Sequence, residues 1–116
     1  MTRFDLPYPP SVNHYWRRVG AKTLISRAGR LFRERVCALL AAQRAHPLAG
    51  PLVVQIEIFP PDNRRRDIDN VQKALLDAMQ HGGAYYDDSQ IISLSIKKCE
   101  VVPQGRTLVT IERAAC

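Results

Sequence analysis

Between Gly50-Pro51 and Pro60-Pro61 the chain alternates apolar and polar residues. Val54, Ile56 and Ile58 fall on one face of an extended segment, Gln55 and Glu57 on the other. The alternation predicts a strand over Val53–Phe59 with one face turned to a core, and a second layer must cover that face. Two helical patterns can supply it. From Ala28 or Arg30 to Arg44, the residues Phe32, Val36, Leu39, Leu40 and Gln43 recur at helical spacing, with Arg33 and Arg44 directed to solvent. His46-Pro47 and Gly50-Pro51 stop this helix. A second helix is expected near Asp69–His81, with Ile68, Val71, Leu75, Ala78 and Met79 on its buried face and Gly82-Gly83 as its C-terminal stop.

The flanks add strands. Prolines 7, 9 and 10 favour an extended N-terminal segment. Lys22–Ser26 reads as a short strand, with Arg27-Ala28-Gly29 turning after it. Tyr85–Asp88 is a turn or short strand. A long strand is expected over Ile91–Val102, with Ile92, Leu94 and Ile96 on one face. Pro103-Gln104-Gly105 turns it, and Thr107–Arg113 returns as an edge or neighbouring strand. At 116 residues, with no internal repeat or dividing linker, residues 1–116 form a single domain. Strands and helices do not alternate as regular βα repeats. The expected fold is α+β: a small mixed β-sheet with two main α-helices packed on it.

Charge narrows the partner. The formal charge of +6 and the pI near 9.7 call for a polyanion, nucleic acid before membrane. No apolar run reaches the ~20 residues of a spanning helix, and the N-terminus lacks a signal-peptide core. Residues 67–88 reverse the sign, with Asp67, Asp69, Asp77, Asp87 and Asp88 against the single Lys73. An acidic cluster in a basic protein repels a polyanion unless a divalent cation lies between. The pattern fits a metal-dependent enzyme of nucleic acid. All-oxygen ligands suit Mg²⁺ or Mn²⁺. Cys37, Cys99 and Cys116 have no zinc or disulfide spacing, and His14, His46 and His81 are scattered. Reduced thiols in a cytosol are the default reading.

Each motif has a plainer reading. Asp67 can cap the second helix, with Asn70 three residues on, and Asp69 can pair with Lys73 one turn later. Asp87-Asp88 alone is a polar turn. For Asp67 and Asp69 to share an ion, the helix must begin at or after Asp69, leaving Asp67 extended. Arg64-Arg65-Arg66 is either a solvated basic loop or a grip on phosphates. Asn13-His14-Tyr15-Trp16-Arg17-Arg18 contains an aromatic-basic segment for stacking on bases and holding phosphates. Alternatively, Trp16 packs in the core or a dimer contact, and Asn13 organises the turn. Tyr15, Tyr85 and Tyr86 carry only a weak signal for covalent phosphotyrosine chemistry.

Arg65-Arg66-Asp67-Ile68-Asp69-Asn70-Val71-Gln72-Lys73-Ala74, followed by Gly82 and Asp87-Asp88-Ser89-Gln90-Ile91, resembles the RusA-type crossover-junction endodeoxyribonucleases. Pro7-Tyr8-Pro9-Pro10-Ser11-Val12-Asn13-His14-Tyr15-Trp16 is similar to that family's opening signature. The likeness covers essentially the whole chain. It implies a homodimeric, Mg²⁺-dependent resolvase, bacterial or prophage-encoded and cytoplasmic, that cuts four-way (Holliday) junctions by paired nicks. The family's catalytic aspartates fall on Asp67, Asp69 and Asp88, which would hold the metal, and its lysine on Lys73. Arg64, Arg65, Arg66, Asn13, Tyr15, Trp16 and Arg17 are the expected DNA contacts. The alternatives are a branched-DNA-binding protein without catalysis and a metal nuclease of flaps or forks.

Overall fold

The computed structural model describes residues 1–114, without the side chain of Val12. Its elements are β1 (Thr2–Leu6), α1 (Val12–Tyr15), β2 (Trp16–Val19), β3 (Lys22–Ile25), α2 (Arg27–Ala42), β4 (Leu52–Phe59), α3 (Asp69–His81), a 3₁₀ turn (Asp88–Gln90), β5 (Ile91–Lys98) and β6 (Arg106–Arg113). The architecture is α+β, with a mixed four-stranded sheet in the order β1-β6-β4-β5. β4 is central. It runs parallel to β5 and antiparallel to β6.

Val54, Ile56 and Ile58 of β4 are buried, as the alternation predicts, and so is Leu52, one residue ahead of the expected strand. They form one core with Phe32, Val36 and Leu40 of α2 and with Val71, Ala74, Leu75, Ala78 and Met79 of α3. Two expected core positions lie outside it. Ile68 is 40% exposed because it precedes the first full turn of α3. Gln43 is exposed at the C-terminal end of α2, where its amide donates to the Leu39 carbonyl. Arg33, expected in solvent, instead turns inward to pair with Asp77 at 2.8 Å.

α2 begins at Arg27, so Arg27-Ala28-Gly29 is helix rather than turn. Ser26 caps it by accepting the Gly29 N–H at 2.9 Å. Gly29 is required by contact: a Cβ there would run into the Tyr15 carbonyl. Both long helices end in the same way. Ala45 N–H reaches back to Leu40 and Ala84 N–H to Met79, at 2.9 and 3.0 Å. The residue before each is left-handed, Arg44 at φ 56 and Gly83 at φ 83.

Three strand relationships differ from expectation. β1, in which Phe4 and Leu6 are buried, pairs with β6. β2 pairs with β3 as a separate hairpin turned at Gly20. β5 ends at Lys98, and β6 does not return beside it. Residues 99–105 cross the end of β4, with Val102 N–H bonded to Pro60, and β6 enters the sheet interior between β1 and β4. That leaves β5 at the edge.

Candidate active site and nucleic-acid interface

α3 connects two parallel strands, so it runs back along the sheet and separates its two ends. At the C-terminal end of β4 and β5 lies the loop Asp62–Arg66. Lys98, the last residue of β5, donates through Nζ to the Arg66 carbonyl at 2.8 Å. Arg66 Nη1 pairs with Asp62 Oδ1 at 2.6 Å, and its guanidinium lies 5.8 Å from the centre of the Tyr8 ring. The Arg66 guanidinium, bonded to the Asp62 side chain, holds the pKa of that carboxyl low, at about 2. Arg66 therefore fastens the loop. Arg64 is 83% exposed and Arg65 is exposed, which leaves both open to an anion.

A groove of about 560 Å³ opens here, lined by Tyr8, Ser11, His14, Arg64–Arg66, Asp67, Asn70 and neighbouring apolar atoms. It joins the proline segment to the arginine loop. Asn13, Tyr15, Trp16 and Arg17 do not line it. Asn13 is exposed on α1, and Arg17 on the β2–β3 hairpin beside Arg18 and Lys22. Tyr15 is a correction to the expected DNA contacts. It is fully buried, donates its hydroxyl to Asp77, and receives Arg33 Nε at 3.3 Å. Trp16 meets it edge-on at 4.9 Å and packs against the core, which favours the packing reading. Burial and the bond to Asp77 raise the Tyr15 pKa to about 12. Tyr85 is also buried, bonded to the Leu76 carbonyl at 2.6 Å, and its pKa is raised by burial. Neither phenol can serve as a nucleophile.

Asp67, Asp69 and Lys73 are exposed around the first turns of α3. No side chain caps this helix, and among the described residues Asp69 and Lys73 form no ion pair. The plainer roles for these residues are not realised. The helix begins at Asp69, as metal sharing requires, but Ile68 is already in helical geometry and Asn70 N–H bonds to the Asp67 carbonyl at 3.2 Å. Asp67 is thus less extended than expected, although it stays within one turn of Asp69.

Asp88 is at the other end of the sheet. Asp87 caps the 3₁₀ turn by accepting the Ser89 N–H at 2.8 Å, and this bond holds its pKa low. The Gln90 amide binds the Leu48 and Gly50 carbonyls and accepts the N–H groups of Tyr86 and Asp87. Gln80 accepts the Asp88 N–H at 3.0 Å. These bonds fix the turn and leave the exposed Asp88 carboxylate without a protein partner among the described residues. Two rulers give the separation from Asp67 and Asp69. α3 has 13 residues, a rise of ~18 Å. β5 has eight residues, a span of ~23 Å. Accordingly, no three His, Cys, Asp or Glu side chains among the described residues lie close enough to hold one metal ion. The donor chemistry fits a hard cation, but the expected three-carboxylate set is not gathered within one chain.

Sequence reasoning missed Tyr8, His14 and Asn70 in the groove and Gln80 and Gln90 under Asp88. Their neighbours carried the motif, but only tertiary contacts reveal these positions. Cys37 and Cys99 are free thiols, and Cys116 lies outside the described residues. Among the described residues, no helix is long and apolar enough to cross a membrane.

The fold and site define a small basic α+β domain with a groove between an arginine loop and solvent-facing carboxylates. Residues 7–112 match the family model described as Endodeoxyribonuclease RusA. The chain is 39% identical over 107 residues to "Crossover junction endodeoxyribonuclease RusA" of Escherichia coli (strain K12), covering 91% of this chain and 89% of that one. It is 40% identical to the protein of the same name from Shigella sonnei, at the same coverage. The protein of that name from Enterobacteria phage HK97 is 37% identical over 110 residues, covering 94% and 92%. The chain belongs to the RusA endodeoxyribonuclease family.

Proposed function

We propose that this protein is a divalent-metal-dependent endonuclease that resolves four-way DNA junctions by paired nicks, acting as a homodimer. The observation that carries the reading is the set of exposed Asp67, Asp69 and Lys73, unpaired among the described residues, beside a groove lined by Arg64 and Arg65. Carboxylates that take up no protein donor are free to ligate a cation. Mg²⁺, with Mn²⁺ as a substitute, would be held by Asp67 and Asp69 of one chain of the homodimer together with the Asp88 carboxylate of the other, and would polarise the phosphate and acidify a bound water.

The remaining work falls to this chain's own side chains. Arg64 and Arg65 hold the phosphates flanking the scissile bond and set register without reading sequence. Lys73, one helical turn from Asp69, places its ammonium where negative charge develops on the phosphate. The hairpin residues Arg17, Arg18 and Lys22 extend the basic surface over a second arm. A four-way junction presents two equivalent strands, which a two-fold dimer matches with two sites. Two chains at +6 carry a formal +12, a field that steers the protein onto branched DNA.

The test is incubation with an immobile four-way junction and Mg²⁺, mapping nicks on every strand, with Asp69→Asn alongside. Symmetric paired nicks near the branch point, absent in the variant with junction binding kept, support the reading. Equal activity in Asp69→Asn defeats it, as does binding without nicks in the unaltered protein.

A further inference from the structure

The β2–β3 hairpin stands apart from the main sheet as a two-stranded ribbon. Such a ribbon is marginal in water by itself and depends on what it packs against. Its two faces differ in this respect. Trp16 and Ile25, opposite each other at its base, pack against the core, and the Ser26 N–H closes the base on the Tyr15 carbonyl at 2.9 Å. The other face carries Arg17, Val19, Lys22 and Leu24, because opposed residues share a face, and Arg17 opposes Leu24 as Val19 opposes Lys22. All four are exposed, Val19 by 50% and Leu24 by 39%. The two apolar side chains lie on one diagonal of this face and the two cations on the other.

Charge identifies what covers this face. Between Asp5 and Glu34 the chain has no acidic residue, whereas Arg17, Arg18, Lys22, Arg27 and Arg30 are all exposed. The surface is complementary to a polyanion. A regular duplex satisfies only half of it. Its phosphates pair with the cations, but each of its inner base pairs is stacked on both sides, so Val19 and Leu24 stay in water. Where the arms of a junction meet, a base pair that loses its stacked neighbour offers a flat apolar face. Apolar side chains on basic elements enter such steps. The ribbon has a suitable shape, since Gly20, left-handed at φ 61, and Ala21 make a two-residue turn and a narrow tip. Position agrees as well. The hairpin follows closely on His14, which lines the groove with Asp67. The four residues of β2 reach ~13 Å from that rim, the length of about four stacked nucleotides. A branch point held at the tip then lies within a few nucleotides of a phosphate in the groove.

We propose that the β2–β3 hairpin is a branch-point wedge: Val19 and Leu24 cover the base-pair face opened where the arms of a junction meet, and Arg17, Arg18 and Lys22 hold the phosphates beside it. The inference rests on the junction-resolving reading for its substrate. On the physical side it rests on an outward face that alternates apolar and cationic side chains. The contact with bases expected of Trp16, which packs inward, falls to Val19 and Leu24 on the opposite face of the same ribbon. Preference for branched over linear DNA then comes from the apolar pair, and affinity for both from the cations.

Binding without divalent cation, so that no strand is cut, tests it. Wild type and the double variant Val19→Ser, Leu24→Ser are titrated with a four-way junction carrying 2-aminopurine at the branch point, and with a duplex of the same sequence. Wild type is expected to raise the fluorescence at the branch, where the base is unstacked, and the serine variant to abolish the rise. Junction affinity should fall about tenfold in the serine variant, with duplex affinity kept. Arg17→Ala combined with Lys22→Ala should weaken both. Val19→Leu combined with Leu24→Met keeps the face apolar and should retain the rise and the junction preference. Wild type that leaves the branch fluorescence unchanged overturns the proposal, whether or not any variant folds. So does a serine variant with full junction affinity, or one that loses junction and duplex affinity equally. A serine variant that sediments with fewer chains than wild type assigns the face to a second copy and also overturns it. The nuclease reading fails separately, as wild type that binds the junction without nicking in Mg²⁺, and the branch fluorescence still decides the wedge.

Discussion

Tyr15 and Asp77 are joined by a hydrogen bond from the phenol to the carboxylate, linking α1 to α3. Arg33 of α2 bonds to both, so three helices converge on one small polar cluster beside the core. Tyr15→Phe removes one donor while Arg33 still pairs with Asp77. The expected loss is about 1 kcal/mol by denaturant titration, with junction affinity unchanged. A selective loss of branched-DNA binding would instead restore Tyr15 to the DNA surface. The pH dependence has a definite sign. The folded pKa of about 12 lies above the ordinary value of 10.0, so the folded state holds the phenolic proton more tightly. That stabilisation is complete below pH 10 and is lost as pH rises through 12. Tyr85, also raised, acts in the same direction. Denaturation midpoints should therefore fall across this alkaline window, and less steeply in Tyr15→Phe.

Arg44 occupies the left-handed position that ends α2, where the equivalent residue of α3 is Gly83. A side chain at that φ costs about 1 kcal/mol. Arg44→Gly is expected to raise the thermal midpoint by relieving the strain, with the Ala45–Leu40 bond retained. An unchanged or lower midpoint would show that glycine's greater freedom in the unfolded chain outweighs the relief.

The three consecutive arginines should separate by role. Arg64→Ala and Arg65→Ala are expected to weaken junction binding without altering stability, each reducing the slope of log affinity against log salt by about one. Arg66→Ala should lower the thermal midpoint, because its side chain binds Asp62 and covers Tyr8. Equal effects of all three on both measurements would return the run to an undivided basic patch.

Asp87 and Asp88 are neighbours with opposite commitments. The Asp87 carboxylate accepts the Ser89 N–H, whereas the Asp88 carboxylate accepts no donor among the described residues. Asp87→Asn keeps an acceptor at the cap and should nick junctions close to wild-type rates. Asp87→Ala loses the cap, costs about 1 kcal/mol and should slow nicking by loosening the turn beneath Asp88. Loss of nicking in Asp87→Asn would assign the Asp87 charge itself to the chemistry.

The central strand and both long helices were legible because each answers to a short repeat. Val54, Ile56 and Ile58 follow a period of two, and Val71, Leu75, Ala78 and Met79 the helical period. β1 was missed although Phe4 and Leu6 alternate, since prolines soon follow and its partner is at the opposite end of the chain. Long-range pairing also misled the reading of β6, which sits beside β4 rather than the strand that precedes it. The carboxylates were recognisable from type and spacing, but their separation was not. Distance between Asp69 and Asp88 depends on the direction in which α3 runs, and side-chain pattern is silent on direction. Tyr15 shows the converse limit, as an aromatic next to arginines reads as a DNA contact until burial and Asp77 are seen.

The bonds that secure the two ends of the sheet differ in kind. The Asp67 end is fastened by charged groups, Arg66 to Asp62 and Lys98 to Arg66. The Asp88 end is fastened by the neutral amides of Gln80 and Gln90. Salt screens the first and leaves the second nearly untouched. Rising ionic strength should thus loosen the arginine loop while the acidic turn keeps its shape, so that tolerance of salt is set by one end of the molecule alone.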